Sequence, residues 1–80
     1  MMGTKELRET FNSVTGPLAT CTAARLTYER PDGKEVQILT FEGILPDGMP
    51  FSIRSEPIPP RGVVELAARE TAQRLLEQKR

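Results

Sequence analysis

The side chains able to do chemistry are few, and they fall in three places. Cys21 stands alone between Thr20 and Thr22, in a chain of 80 residues with one cysteine and no histidine. A Cys–His nucleophile pair, an imidazole or thiolate zinc site and an intrachain disulfide are therefore excluded by inventory. The expected role of Cys21 is a small buried or half-buried side chain, with an intermolecular disulfide as its rarer use. Glu29, Asp32 and Glu35 form the second place. Paired carboxylates can exchange protons with a substrate or hold a hard cation. However, Arg25, Arg30 and Lys34 share the same stretch, so cross-strand ion pairs on a solvated surface are the expected use. The third place is Pro57-Ile58-Pro59-Pro60-Arg61-Gly62. A basic residue at a helix start can attract an anion, and a PxxP string can form a polyproline II ligand. Within a small domain the same residues serve as a rigid connector shaping the entry to a helix. No catalytic, metal-binding or cofactor-binding set emerges, and the expectation is a protein that is not an enzyme and takes no cofactor.

The elements that position these residues follow from periodicity. Leu7, Phe11 and Val14 recur at i, i+4 and i+7, one face of a short helix. Thr4 is the expected N-cap, and Gly16-Pro17 the stop. Three strand signals follow: Thr20 to Glu29, Glu35 to Glu42, and a third carrying Met49, Phe51 and Ile53 in alternation with Pro50, Ser52 and Arg54. Pro31-Asp32-Gly33 and Pro46-Asp47-Gly48 connect them. Proline presets the first turn position, Asp bonds its own backbone, and Gly takes the left-handed place. Both suit a three-residue hairpin loop. Glu56 to Pro60 is extended because each proline biases its predecessor away from the helix. A long helix then runs from about Arg61 to Gln78, with Val64, Ala68, Thr71 and Leu75 as its apolar stripe. Val63 and Leu66 lie off that stripe. Lys79 and Arg80 suit the negative end of the helix dipole.

The fold class is α+β: a small two-layer domain over residues 1–80, ordered α-β-β-β-α, with a three-stranded antiparallel meander packed by two helices. This order resembles the double-stranded RNA-binding domain over nearly the whole chain, in layout. That family reads A-form RNA by shape and sets lysines at the start of its second helix against phosphates. The matching segment here, Pro59 to Glu65, carries Arg61 and Glu65 in place of a lysine cluster. The first-hairpin loop, Arg30 to Lys34, lacks the family's histidine, while the alanine-rich second helix matches. The resemblance implies the fold; Arg61 is the residue through which it would extend to nucleic acid.

Strand parity adds a constraint. With two three-residue loops, Tyr28 faces Val36 and Leu26 faces Ile38, while Phe41 faces Ile53 and Gly43 faces Phe51. Directly paired residues share a face and the period along a strand is two. Leu26, Tyr28, Val36 and Ile38 then oppose Leu39, Phe41, Phe51 and Ile53, and both sheet faces are apolar. Three outcomes are open: a bulge near Thr40, a four-residue loop at one turn, or a second chain covering the outer face. The last predicts a homo-oligomer, with a dimer contact through Leu39, Phe41, Phe51 and Ile53 or through Val63 and Leu66.

Composition sets the remaining expectations. Eleven basic and eleven acidic residues cancel, which argues against a nucleic-acid arm or a polybasic membrane anchor. The longest apolar runs are too short for a membrane span or signal core, so a cytoplasmic protein without membrane partners is expected. A core of this size supplies only about 3–5 kcal/mol. The functional expectation is a non-catalytic interaction or assembly module that self-associates, with nucleic-acid binding as the alternative.

Overall fold

A computed structural model describes residues 3–78. Its elements run α1 (Thr4–Thr15), β1 (Thr20–Glu29), β2 (Val36–Ile44), β3 (Pro50–Arg54) and α2 (Val64–Gln78). The three strands form one antiparallel sheet in the order β1-β2-β3. The α-β-β-β-α order is the one the periodicity predicts.

The starts of both helices differ from expectation, while their ends, at Gly16 and at Gln78, are as predicted. Gly3, not Thr4, is the N-cap of α1; it is extended and makes no side-chain cap bond. Its carbonyl accepts the Leu7 N–H at 3.1 Å, so Thr4 already lies inside the first turn. At the other end Gly16 adopts φ 56° and donates its N–H to the Asn12 carbonyl, and Pro17 continues into one 3₁₀ turn. Leu7, Phe11 and Thr15 are buried, with Val14 packed at the core's margin. The second helix starts at Val64 rather than near Arg61. The Gly62 N–H is held by the Pro59 carbonyl at 2.8 Å, and this turn delays helix entry. Ala68, Thr71, Ala72 and Leu75 are its buried stripe. Lys79 and Arg80 lie outside the described residues.

The second hairpin has the expected register. Phe41 pairs with Ile53 and Gly43 with Phe51. The Leu45 N–H bonds the Met49 carbonyl, the Gly48 N–H bonds the Leu45 carbonyl, and Asp47 Oδ1 accepts the Met49 N–H at 3.0 Å. Gly48 takes φ 87°.

The first hairpin is shifted by one residue, although it carries the same tripeptide. Glu29 pairs with Val36, Tyr28 with Gln37, Thr27 with Ile38 and Leu26 with Leu39. Here Asp32 (φ 57°) and Gly33 (φ 78°) are both left-handed, and the Gly33 and Lys34 N–H groups bond back to Arg30 and Pro31. The loop thus takes in one more residue than its counterpart. Of the three ways to reconcile the strands, the longer turn is the one adopted, and β2 needs no bulge near Thr40. A bulge lies instead in β1, between Cys21 and Ala23.

One residue of slip moves every side chain of a strand to the other face. Leu26 therefore joins Leu39, Phe41, Phe51 and Ile53 on a single apolar face, which α1 and α2 cover. Phe11 stacks on Phe41 with ring centroids 4.5 Å apart and on Phe51 at 5.9 Å. Each phenylalanine withdrawn from water contributes about 1.5–3 kcal/mol. The opposite face is mainly polar: Arg25, Thr27, Glu29, Thr40, Glu42, Ser52 and Arg54 share its parity. Val36, Ile38 and Ile44 are its large apolar members: Ile38 is buried outside the main cluster, Val36 is half-buried and Ile44 is exposed. Glu29 stands opposite Val36 and Arg54 opposite Thr40, so their 2.5 Å ion pair spans β2 at the level of Ile38.

Candidate interaction surfaces

Cys21 is buried, and its thiol donates to the Ala23 carbonyl at 3.2 Å. Burial raises its pKa above the ordinary value, against smaller lowering contributions from nearby backbone groups and Arg8. A thiol held protonated is a poor nucleophile. The Cys21 backbone is engaged as well: its N–H bonds Asn12 Oδ1 at 2.7 Å, and its carbonyl accepts from Asn12 Nδ2 at 3.2 Å.

Two of the three first-hairpin carboxylates, Glu29 and Glu35, turn toward arginines, and Asp32 is exposed in the loop. Glu29 meets Arg54 and Glu35 meets Arg30 at 3.5 Å, with Arg25 and Glu42 3.8 Å apart on the same sheet. Among the described residues, no group of three or more His, Cys, Asp or Glu is placed to hold a metal ion.

Arg61 is exposed ahead of α2. The next charged positions are Glu65 and Arg69, themselves paired at 3.2 Å. On α1, Lys5 and Arg8 alternate with Glu6 and Glu9. The proline segment is fastened to the sheet: Ile58 is buried and exchanges both backbone hydrogen bonds with Gln37, whose side-chain amide also donates to the Pro59 and Pro60 carbonyls. It is a tethered connector, with the carbonyls of Ile58, Pro59 and Pro60 already engaged.

Leu39, Phe41, Phe51 and Ile53, expected at a contact between chains, lie instead in the core of one chain, at 0 to 8% exposure. The longer first loop is the reason, since it brings Leu26 of β1 onto the same face as these four residues, under the helices. Val63 and Leu66 remain on the surface, 65% and 54% exposed. They line an open groove of about 610 Å³ between α2 and the Glu56–Pro59 stretch. Arg74 closes one side, bonding Glu56 at 2.9 Å and the Arg54 carbonyl.

A surface absent from residue-by-residue reading is the outer edge of β1. Gln37 exchanges backbone bonds with Ile58, and the Leu39 carbonyl accepts the Ser55 N–H, so odd-numbered residues of β2 direct their backbone groups away from β1. Backbone direction alternates along a strand. Even-numbered residues of β2 therefore face β1, and their partners in this part of β1 are Arg25, Thr27 and Glu29. Ala24, Leu26 and Tyr28 consequently point their N–H and C=O groups outward. Near the bulge the edge is plugged by α1, through Asn12 on Cys21 and Arg8 on the Thr22 carbonyl. From Ala24 to Tyr28 no described residue pairs with it. Tyr28 is 61% exposed at the end of this edge. The signal was present in the meander itself, whose first strand must be an edge.

No family model, curated protein or solved structure matches the chain. Among the described residues, no helix is long and apolar enough to cross a membrane.

Proposed function

We propose that this protein is a non-catalytic, cytoplasmic interaction module that works by associating with a second copy of itself. The open edge of β1 carries this reading. Ala24, Leu26 and Tyr28 present a row of unpaired backbone donors and acceptors beside the half-buried Leu26 and exposed Tyr28 side chains, and a second strand satisfies both at once. A small domain gains proportionately from such burial, because its own core covers a modest fraction of its surface. The polar chemistry supports a structural role: the Cys21 thiol is buried, and Glu29 and Glu35 are committed to arginines.

Nucleic-acid binding is the weaker reading. At the second-helix entrance, where the RNA-binding layout calls for clustered lysines, Arg61 is followed by the Glu65–Arg69 ion pair. Sedimentation over a range of concentrations tests the proposal: a dimer supports it, and a monomer throughout rejects it.

A further inference from the structure

Resting on the self-association reading, we infer that two copies join β1 to β1 in antiparallel register about Thr27, making one continuous six-stranded sheet. The register follows from charge and backbone direction. In an isologous antiparallel pair, a two-fold axis passes through one pair of identical residues. Centred on Arg25, the contact sets two arginines against each other. Centred on Leu26, it leaves Arg25 opposite a threonine; centred on Tyr28, it leaves Glu29 opposite a threonine. Centred on Thr27, Arg25 stands opposite the partner's Glu29, twice by symmetry. Leu26 then lies opposite the partner's Tyr28, and Thr27 opposite its own copy.

The backbone fits this arrangement. Leu26 and Tyr28 both point outward, as argued from the Gln37, Leu39, Ser55 and Ile58 bonds, so they form the hydrogen-bonded pairs of the new ladder. Thr27 and Arg25 fall in the closely spaced non-hydrogen-bonded pairs, where opposite charges and paired threonines interact best. Arg25 already pairs with Glu42 and Glu29 with Arg54 on the polar face. The junction therefore completes a row of alternating charges: Arg54, Glu29, the partner's Arg25 and the partner's Glu42. The α1 contacts with this edge lie outside the paired stretch. Arg8 and Asn12 reach the edge at Thr22 and Cys21, which in this register lie beyond the end of the partner's strand.

Cross-linking tests the register, with sedimentation of the unmodified protein run beside it. Thr27→Cys in a Cys21→Ala background should give, under mild copper-phenanthroline oxidation, a disulfide-linked dimer in high yield. Ser52→Cys in the same background, exposed on the third strand, should stay uncrosslinked. Arg25→Glu should weaken the dimer at least tenfold; circular dichroism checks that each variant is folded. A dimeric protein in which Thr27→Cys fails to cross-link, or in which Arg25→Glu leaves the dimer unchanged, overturns the β1 junction and leaves self-association standing. A monomer overturns both.

Discussion

Asn12 gives Cys21 the two hydrogen bonds that a neighbouring strand would give. One carboxamide accepts from the Cys21 N–H at 2.7 Å and donates to its carbonyl at 3.2 Å. The helix thereby closes the edge at the β1 bulge, where the ladder is interrupted. Unsatisfied backbone groups there each cost about 1–3 kcal/mol. Asn12→Leu should lower stability by about 2 kcal/mol or more, read as a fall in the urea midpoint. An unchanged midpoint contradicts the bracing role.

Gly43 and Gly48 should respond to alanine for different reasons. Gly48 is left-handed with open space around it, so Gly48→Ala costs about 1–2 kcal/mol of backbone strain. Gly43 is not left-handed, but a Cβ there would stand 2.0 Å from the Thr20 carbonyl oxygen and 2.8 Å from the Phe51 ring. Gly43→Ala should therefore cost more, about 3 kcal/mol or beyond. Thermal melts of the two variants side by side decide the ranking.

The Cys21 thiol sets an alkaline limit. Burial raises its pKa in the folded chain above the ordinary value of 9.0, so the folded state holds the proton more tightly than the unfolded state. The resulting stability is complete below about pH 9 and is lost as pH rises through the folded pKa. Denaturation midpoints should fall above pH 9 in the native sequence and fall less in Cys21→Ala. At pH 8 a thiol reagent should label the native protein slowly and the urea-unfolded chain at once.

The two turns show what the sequence could and could not tell. Pro46-Asp47-Gly48 closes a three-residue loop because Asp47 bonds the Met49 N–H and Leu45 pairs with Met49. The same tripeptide at Pro31 closes a longer one, because Asp32 also goes left-handed, a choice the tripeptide alone does not encode. The apolar alternation did register the difference: Leu26 and Leu39 fit one face only if the first loop gains a residue. The stripe on α2 and the fastening stop at Gly16 were legible from spacing. Asn12 was not, since its contact with Cys21 depends on how the Gly16–Leu18 turn folds α1 back onto β1. The open β1 edge was implicit in strand order, while its bare length emerged only once the α1 contacts were known.

Val63→Lys with Leu66→Lys should leave mass and stability close to native, the latter within about 0.5 kcal/mol. Both side chains face solvent, and the self-contact lies on β1. Dissociation of the double variant would move the contact to the α2 groove.

Duplex RNA should bind no more tightly than the non-specific range of about 10⁻⁴ to 10⁻⁶ M. The motive is the alternation of sign on α1 and at the entrance to α2. Submicromolar binding that weakens with salt and is lost in Arg61→Ala would contradict this.

The mass in solution bears most directly on the central claim. Sedimentation equilibrium from low to high micromolar concentration should give a species of twice 8.9 kDa, dissociating on dilution. A single value of 8.9 kDa at every concentration would contradict it.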